Sequence, residues 1–252
     1  MKVLIYGKTI PQTVDCSIAF HGFEELEADI TISQNWFLSK DELKAFDVCV
    51  GGVNASRHAL FCLDVKDYEL SCYPEKLIPL LKRNVFLTTL GEVIKGTFLK
   101  RQVQLYNKFV KSQKPKVFFP FKTDDKFFVE RPEFQANLMG LADDIPVYVS
   151  DIVEFVSEWR VYVNNRQIEN ICHYTGSPLI FPSIMVIEGM IEAWTDSPCC
   201  YALDVGILKD NMLTALVEVN DFYAIGNYGL EPRTYAEMLL CRWTELTQSR
   251  RS

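Results

Sequence analysis

A chain of 252 residues, 48% hydrophobic and only 23% charged, has the apolar surface for one large body or two to three compact lobes, and too little charge for extended disorder. A net charge of -7 with no Lys/Arg-dense stripe excludes a general nucleic-acid binder, which needs a basic face against the phosphates. No apolar run reaches the ~18 residues of a membrane span and the start Met1–Gly7 lacks a signal-peptide core, so the expected location is the cytoplasm.

The first ninety or so residues alternate short apolar strands with helical stretches. Strands are predicted at Lys2–Tyr6, Ala28–Ser33 and Asp47–Gly52, with a helix over Lys40–Ala45 behind the cap candidate Ser39. Alternation of this kind predicts a small open α/β layer. Gly51-Gly52 lacks the G-x-G-x-x-G spacing and reads as a tight turn. Tyr73–Leu77 opens a short helix with Pro74 at its start, and Val85–Leu90 is strand-like until Gly91. Glu92–Lys111 mixes apolar and basic residues as a helix covering a core does, and its Lys95, Lys100, Arg101, Lys108 and Lys111 read as a wet face in preference to one turned toward an anionic ligand. The texture changes at Lys114-Pro115-Lys116. Beyond it Val117–Phe121, a polar Lys122–Asp125 turn and Lys126–Glu130 read as a β-hairpin.

Val147–Ser150 begins another strand, and Ile152–Val163 is the longest alternating stretch in the chain. Asn164-Asn165 turns it back into Gln167–Tyr174. A helix over Ser183–Trp194 follows, then strands over Cys199–Leu208 and Met212–Asn220, then a helix over Thr234–Leu246. The eight cysteines include no C-x-x-C and the three histidines are scattered. The thiols therefore read as reduced and mostly buried, without a structural zinc site, and Cys199-Cys200 as a packing pair at a strand entry. His173 is expected in the core or behind the site.

The long strand places Glu154, Glu158 and Arg160 on one side and Phe155, Trp159, Val161 and Val163 on the other. A solvated face accounts for the charges. So does a polar cavity floor, in which Arg160 offers a planar fork to phosphate or carboxylate oxygens. The next two strands are apolar runs interrupted by Asp204 and by Glu218 and Asn220, and an ionised carboxylate there is costly unless paired or metal-bound. If Asp210-Asn211-Met212 is a three-residue hairpin loop, Asp204 falls opposite Glu218, with Asn220 two residues along on the same face. The converging oxygens then suit Mg²⁺ carrying nucleotide phosphates. A two-residue loop sends the two carboxylates to opposite faces.

The segments Ser157–Val163, Ala202–Gly206 and Leu216–Asp221, with the tail Ala224–Gly229, resemble the ATP-grasp superfamily. Within it they resemble the branch named for a characteristic arginine and two lysines. Tyr73-Pro74-Glu75 and Thr89–Val93 are similar to its lead-in region, so the likeness spans about residues 70–230. The resemblance implies an α+β ATP-grasp fold of two lobes preceded by a small α/β pre-grasp domain. In chain order that gives an N-terminal α/β domain over 1–95, a linker helix and lid lobe over 96–150, and a C-terminal lobe over 151–252. It also implies an ATP-dependent carboxylate–amine ligase that phosphorylates an amino-acid, peptide or protein carboxylate before an amine attacks. Asp204, Glu218 and Asn220 would hold magnesium, Arg160 would touch phosphate or the acyl phosphate, and Ser150, Ile152 and Glu154 would line the adenosine pocket. In that branch a strand like F-[IV]-K-P supplies the first ATP-contacting lysine. Aligned on Val117–Phe121, the first position holds Pro120, with Lys122 reaching in from a shifted turn, while Lys126 fits the second, catalytic position. The missing lysine supports a second reading, a degenerate member that binds nucleotide or a protein partner without turnover.

Overall fold

The computed structural model describes residues 1–7, 14–66, 68–95, 107–114, 116–123 and 131–248. Strands β1 (Lys2–Tyr6), β2 (Asp29–Ser33) and β3 (Val48–Val50) pair in parallel in the order β2-β1-β3. Parallel pairing leaves the middle strand covered on both faces, and β1 accordingly reads Val3-Leu4-Ile5-Tyr6 without alternation, all four buried. Helices α1 (Val14–Glu25), α2 (Lys40–Leu43) and α3 (Val53–Cys62) connect and cover this layer. The predicted cap at Ser39 is a complete capping box with Glu42.

The second sheet has the order β4-β7-β5-β6, from Val85–Thr89, Pro146–Asp151, Lys108–Ser112 and Phe121–Lys122. Two expectations change here. The helix predicted over Glu92–Lys111 is only α4 (Leu90–Lys95), residues 96–106 lie outside the described set, and Lys108–Ser112 is a strand. Its side chains alternate between two faces, Val110 in the core with Val147 and Val149, Phe109 and Lys111 on the other side, which is the period of a strand. The predicted Val117–Phe121 strand shrinks to Phe121–Lys122, and it pairs with β5 through Phe109↔Lys122 and Val110↔Phe121. Lys126–Glu130, the other half of the expected hairpin, lies outside the described residues. Strand β4, which sequence order puts within 1–95, hydrogen-bonds in this second sheet. Helix α5 (Pro132–Leu138) covers the sheet with Phe134 and Leu138.

The third sheet is antiparallel, β11-β10-β8-β9, built from Thr214–Asp221, Cys200–Leu208, Phe155–Asn164 and Gln167–Gly176. The face split read from the long strand is present from Trp159 onward, but a β-bulge at Val156 reverses it before that, so Phe155 lies against Gly206 on the Asp204 face and Val156 packs with the Trp159 core. Trp159, Val161 and Val163 pack with Ile187, Met190 and Ile191 of α6 (Ile184–Ala193) and with Leu77 and Leu81 of the 3₁₀ helix Glu75–Leu81, while Tyr162 joins the opposite core. That opposite core also contains β1, α1 and the buried face of α7 (Pro232–Gln248), so the last helix closes over the first sheet. Pro232 starts α7 where a missing N–H costs nothing. Among the described residues, no helix is long and apolar enough to cross a membrane.

Candidate nucleotide and metal site

Every residue of β10 is buried, yet mid-strand it carries Asp204. Asp204 lies opposite Glu218 of β11 on one side and opposite Arg160 of β8 on the other. The route to that register differs from the sequence arithmetic. Leu208 N donates to Leu213 O and Met212 N to Leu208 O, both 2.9 Å, so the connection runs over Lys209–Met212 and is one residue longer than expected. In the register it starts, Val205 faces Leu216, and Asp204 would face Val217. A β-bulge between Asp204 and Val205 takes up Val217 and restores Asp204↔Glu218. The two one-residue departures cancel. Arg83 holds the bulge by donating to Leu216 O and Val217 O, each at 3.0 Å.

The side chains on this face form one polar network. Arg160 grips Asp204 bidentately, Nε to Oδ1 at 2.7 Å and Nη2 to Oδ2 at 2.8 Å, and its Nη1 donates to Gly226 O at 3.1 Å. Its guanidinium lies 4.4 Å from the centre of the Tyr228 ring. The Asn220 amide sits between the carboxylates, with Nδ2 donating to Asp204 Oδ2 at 3.0 Å and Glu218 Oε1 at 3.3 Å. From the second sheet, Lys111 Nζ reaches across to make an ion pair with Glu218 Oε2. Burial pushes the Asp204 carboxyl up, against the pull of Arg160. Burial acts on Glu218 in the same sense, but the Lys111 ammonium outweighs it and the Glu218 carboxyl ends below its ordinary range. Lys111 is held above the usual lysine range, because Glu218 more than offsets the cost of burying the ammonium.

Asp204, Glu218 and Asn220 thus present two carboxylates and an amide within hydrogen-bond reach of one another. That is a hard-oxygen donor set, and it suits magnesium. The amide currently aims nitrogen at both acids. A half-turn of the amide would aim Oδ1 at a cation instead.

The other predicted residues are scattered around this centre. Ser150 is buried on β7 opposite Phe109, Ile152 is half-buried in the link to β8, and Glu154 is exposed and paired with Lys209 at 2.6 Å. Lys122 is exposed on β6, and Lys126 lies outside the described residues. The sequence reading put Lys111 on the wet face of a helix rather than toward an anionic ligand, although a further signal was present. Phe109-Val110-Lys111 fits F-[IV]-K, and it lies on the strand that meets the carboxylates, whereas Phe119 and Pro120 lie in no strand. His173 sits edge-on to Trp159 at 4.9 Å, on the sheet face away from Arg160.

Glu218, Asn220 and Lys111 line one wall of a cavity of about 1090 Å³. Its opposite wall is the first sheet, where Tyr6 and Gly7 end β1 and Gly52 to Ala55 begin α3. Because the chain passes from β1 to β2 on one side and then crosses to β3 on the other side of β1, this is the switch point of the parallel layer, where open α/β sheets bind ligands. Lys116, Phe119 and Asn137 close it from above. Burial, with Arg160 and Arg57 near, holds the Lys116 ammonium pKa below the ordinary lysine value.

Comparison with known proteins agrees with this architecture. The model of the ATP-grasp domain, R2K clade family 2, matches residues 80–238. No curated protein matches the sequence. Among solved structures, N5-carboxyaminoimidazole synthetase from Staphylococcus aureus complexed with ADP is similar at TM-score 0.64 and 9% identity, covering 95% of this chain and 77% of that one. D-alanine–D-alanine ligase from Bacillus anthracis complexed with ATP is similar at TM-score 0.55 and 12% identity, covering 99% and 98%. The macrocyclase MdnC bound with precursor peptide MdnA, from Microcystis aeruginosa, gives TM-score 0.50 and 13% identity, covering 95% and 99%. At such identities the likeness establishes the fold.

Proposed function

Because the chain belongs to the R2K clade of ATP-grasp domains, family 2, we propose that it is an ATP- and magnesium-dependent ligase joining a carboxylate to an amine through an acyl phosphate. The observation that carries this reading is the network joining Arg160, Asp204, Asn220 and Glu218 to Lys111 of the facing sheet, of which Lys111, Glu218 and Asn220 line the cavity. Asp204, Glu218 and Asn220 would hold the magnesium, which when bound neutralises phosphate charge. Lys111 then leaves Glu218 for a phosphate oxygen, and Arg160, with one guanidinium face on Tyr228, steadies the charge on the phosphoryl group in flight. Ser150, Ile152 and Glu154 with Lys122 take the adenosine end, and Lys126 is assigned the second cation. The acid substrate enters the cavity with its carboxylate toward Lys116 and the α3 amides. Positioning and charge neutralisation do the chemistry. No side chain is asked to form a covalent intermediate.

The degenerate reading rested on Pro120 in a lysine position, and Lys111 removes that support. Peptides and amino acids are the first acids to try, since structural neighbours include a ligase named for D-alanine and a macrocyclase bound to a peptide. The test is ADP release with pooled amino acids and peptides, in the wild type and in Glu218→Gln. Magnesium-dependent release that collapses in the variant, with the fold intact by circular dichroism, supports the assignment. Undiminished release in Glu218→Gln removes it. Tight nucleotide binding with no release under any acid–amine pair leaves a binder instead.

A further inference from the structure

The entry to β10 and the middle of α7 bring together three thiols distant in sequence. Cys199, Cys200 and Cys241 place their sulfurs within 4.8 Å of one another, and Cys199 Sγ lies 3.1 Å from Cys241 Sγ. Sulfurs ~2.3 Å from a shared zinc ion stand roughly 3.8 Å apart, so the cluster already has the scale of a thiolate cage. One turn beyond Cys241, Glu245 brings both carboxylate oxygens to 3.1 Å from the Cys199 backbone nitrogen. Arg242 Nη1 holds its Oε2 at 2.7 Å, which leaves Oε1 the freer oxygen. Cys200 is fully buried while Cys199 and Cys241 are half-buried, so a cation has a path in and a closed floor.

We propose that Cys199, Cys200 and Cys241 bind a soft divalent cation of the zinc type, with Glu245 or water as the fourth ligand. Sulfur selects this class of ion, whereas the oxygen donors of Asp204, Glu218 and Asn220 select magnesium, so two cations sort to two places by ligand chemistry. Binding deprotonates the thiols, forms metal–sulfur bonds and releases the protons to solvent. The bound ion ties α7 to the strand that carries Asp204. A disulfide would leave the third thiol and the carboxylate without a part.

The experiment is a cobalt titration of the full chain, reduced and stripped with chelator, without nucleotide. The expected result is a sulfur-to-cobalt charge-transfer band that saturates at one ion per chain and is bleached by zinc. The band should disappear in Cys241→Ser and in Cys200→Ser, each checked for native circular dichroism, and persist in Glu218→Gln. Persistence in both cysteine variants, or no band in folded wild type, overturns the proposal. So does a Cys199–Cys241 cross-linked peptide, two hydrogens lighter, in protein that shows no band after reduction.

Discussion

Lys111→Met keeps an aliphatic side chain and deletes the ammonium that pairs with Glu218 and lies 5.2 Å from the centre of the Tyr73 ring. The lysine side chain is 10% exposed and the glutamate 29%. Removing one partner of a fully buried pair costs about 3–5 kcal/mol; residual solvent at Glu218 and its bond from Asn220 reduce this to about 2 kcal/mol. For a chain of this size that is a fall in Tm of about 4–8 °C. Adding Glu218→Gln should restore most of the loss, because the uncompensated charge is then gone. Free magnesium should raise Tm more in Lys111→Met than in the wild type, since no ammonium competes for Glu218. Turnover should nevertheless fall by about 10²–10³-fold, the usual cost of losing one transition-state charge partner. Differential scanning fluorimetry with and without magnesium, beside a coupled ADP assay, reads all three. An unchanged Tm, or an equal magnesium response in the two proteins, refutes the reasoning.

Other outcomes follow from the same geometry. Arg83→Met should leave the Leu216 and Val217 carbonyls without their donor, cost about 1–3 kcal/mol, and weaken magnesium binding by isothermal titration as the bulge loosens. Lys116 in the empty cavity deprotonates below the ordinary lysine range, and a phosphate or carboxylate beside it favours its charged form. Ligand binding should therefore take up a proton and weaken as pH rises through that lowered pKa. Calorimetry in buffers of different ionisation heat reads the uptake, and Lys116→Met should abolish it. Gly22→Ala puts a methyl group on the Pro232 carbonyl and 2.8 Å from the Ala236 Cβ. Parting α1 from α7 should cost about 1–3 kcal/mol in chemical denaturation.

The elements that sequence revealed best are those in which one rule dominates. Trp159–Val163 alternates because one face meets α6 and the other meets the polar network, so periodicity separates Trp159 from Arg160, whereas the bulge at Val156 puts Phe155 on the face opposite to the one expected. Asp204, Glu218 and Asn220 stood out because acids and amides in apolar strands need a reason. Their convergence was legible only by luck of arithmetic. Neither the longer loop nor the bulge at Val217 has a composition signal, and their errors cancel. Lys111 was hidden because Glu92–Lys111 mixes apolar and basic residues in a way that imitates a helix face, and reading it so moved the lysine pattern onto Val117–Phe121. The thiol cluster was invisible for another reason. Cys241 lies far along the chain from Cys199-Cys200, and α7 brings it there only by packing over the first sheet.

The closing of α7 over the first sheet also bears on how the molecule is made. During synthesis β1, α1 and β3 leave the ribosome early, yet Tyr235, Met238, Leu239 and Trp243, which complete their core, emerge about two hundred residues later. Until then the nascent amino-terminal layer has an oily flank and no native cover. Maturation thus waits for α7, and chaperone occupancy should fall as that amphipathic helix clears the exit tunnel.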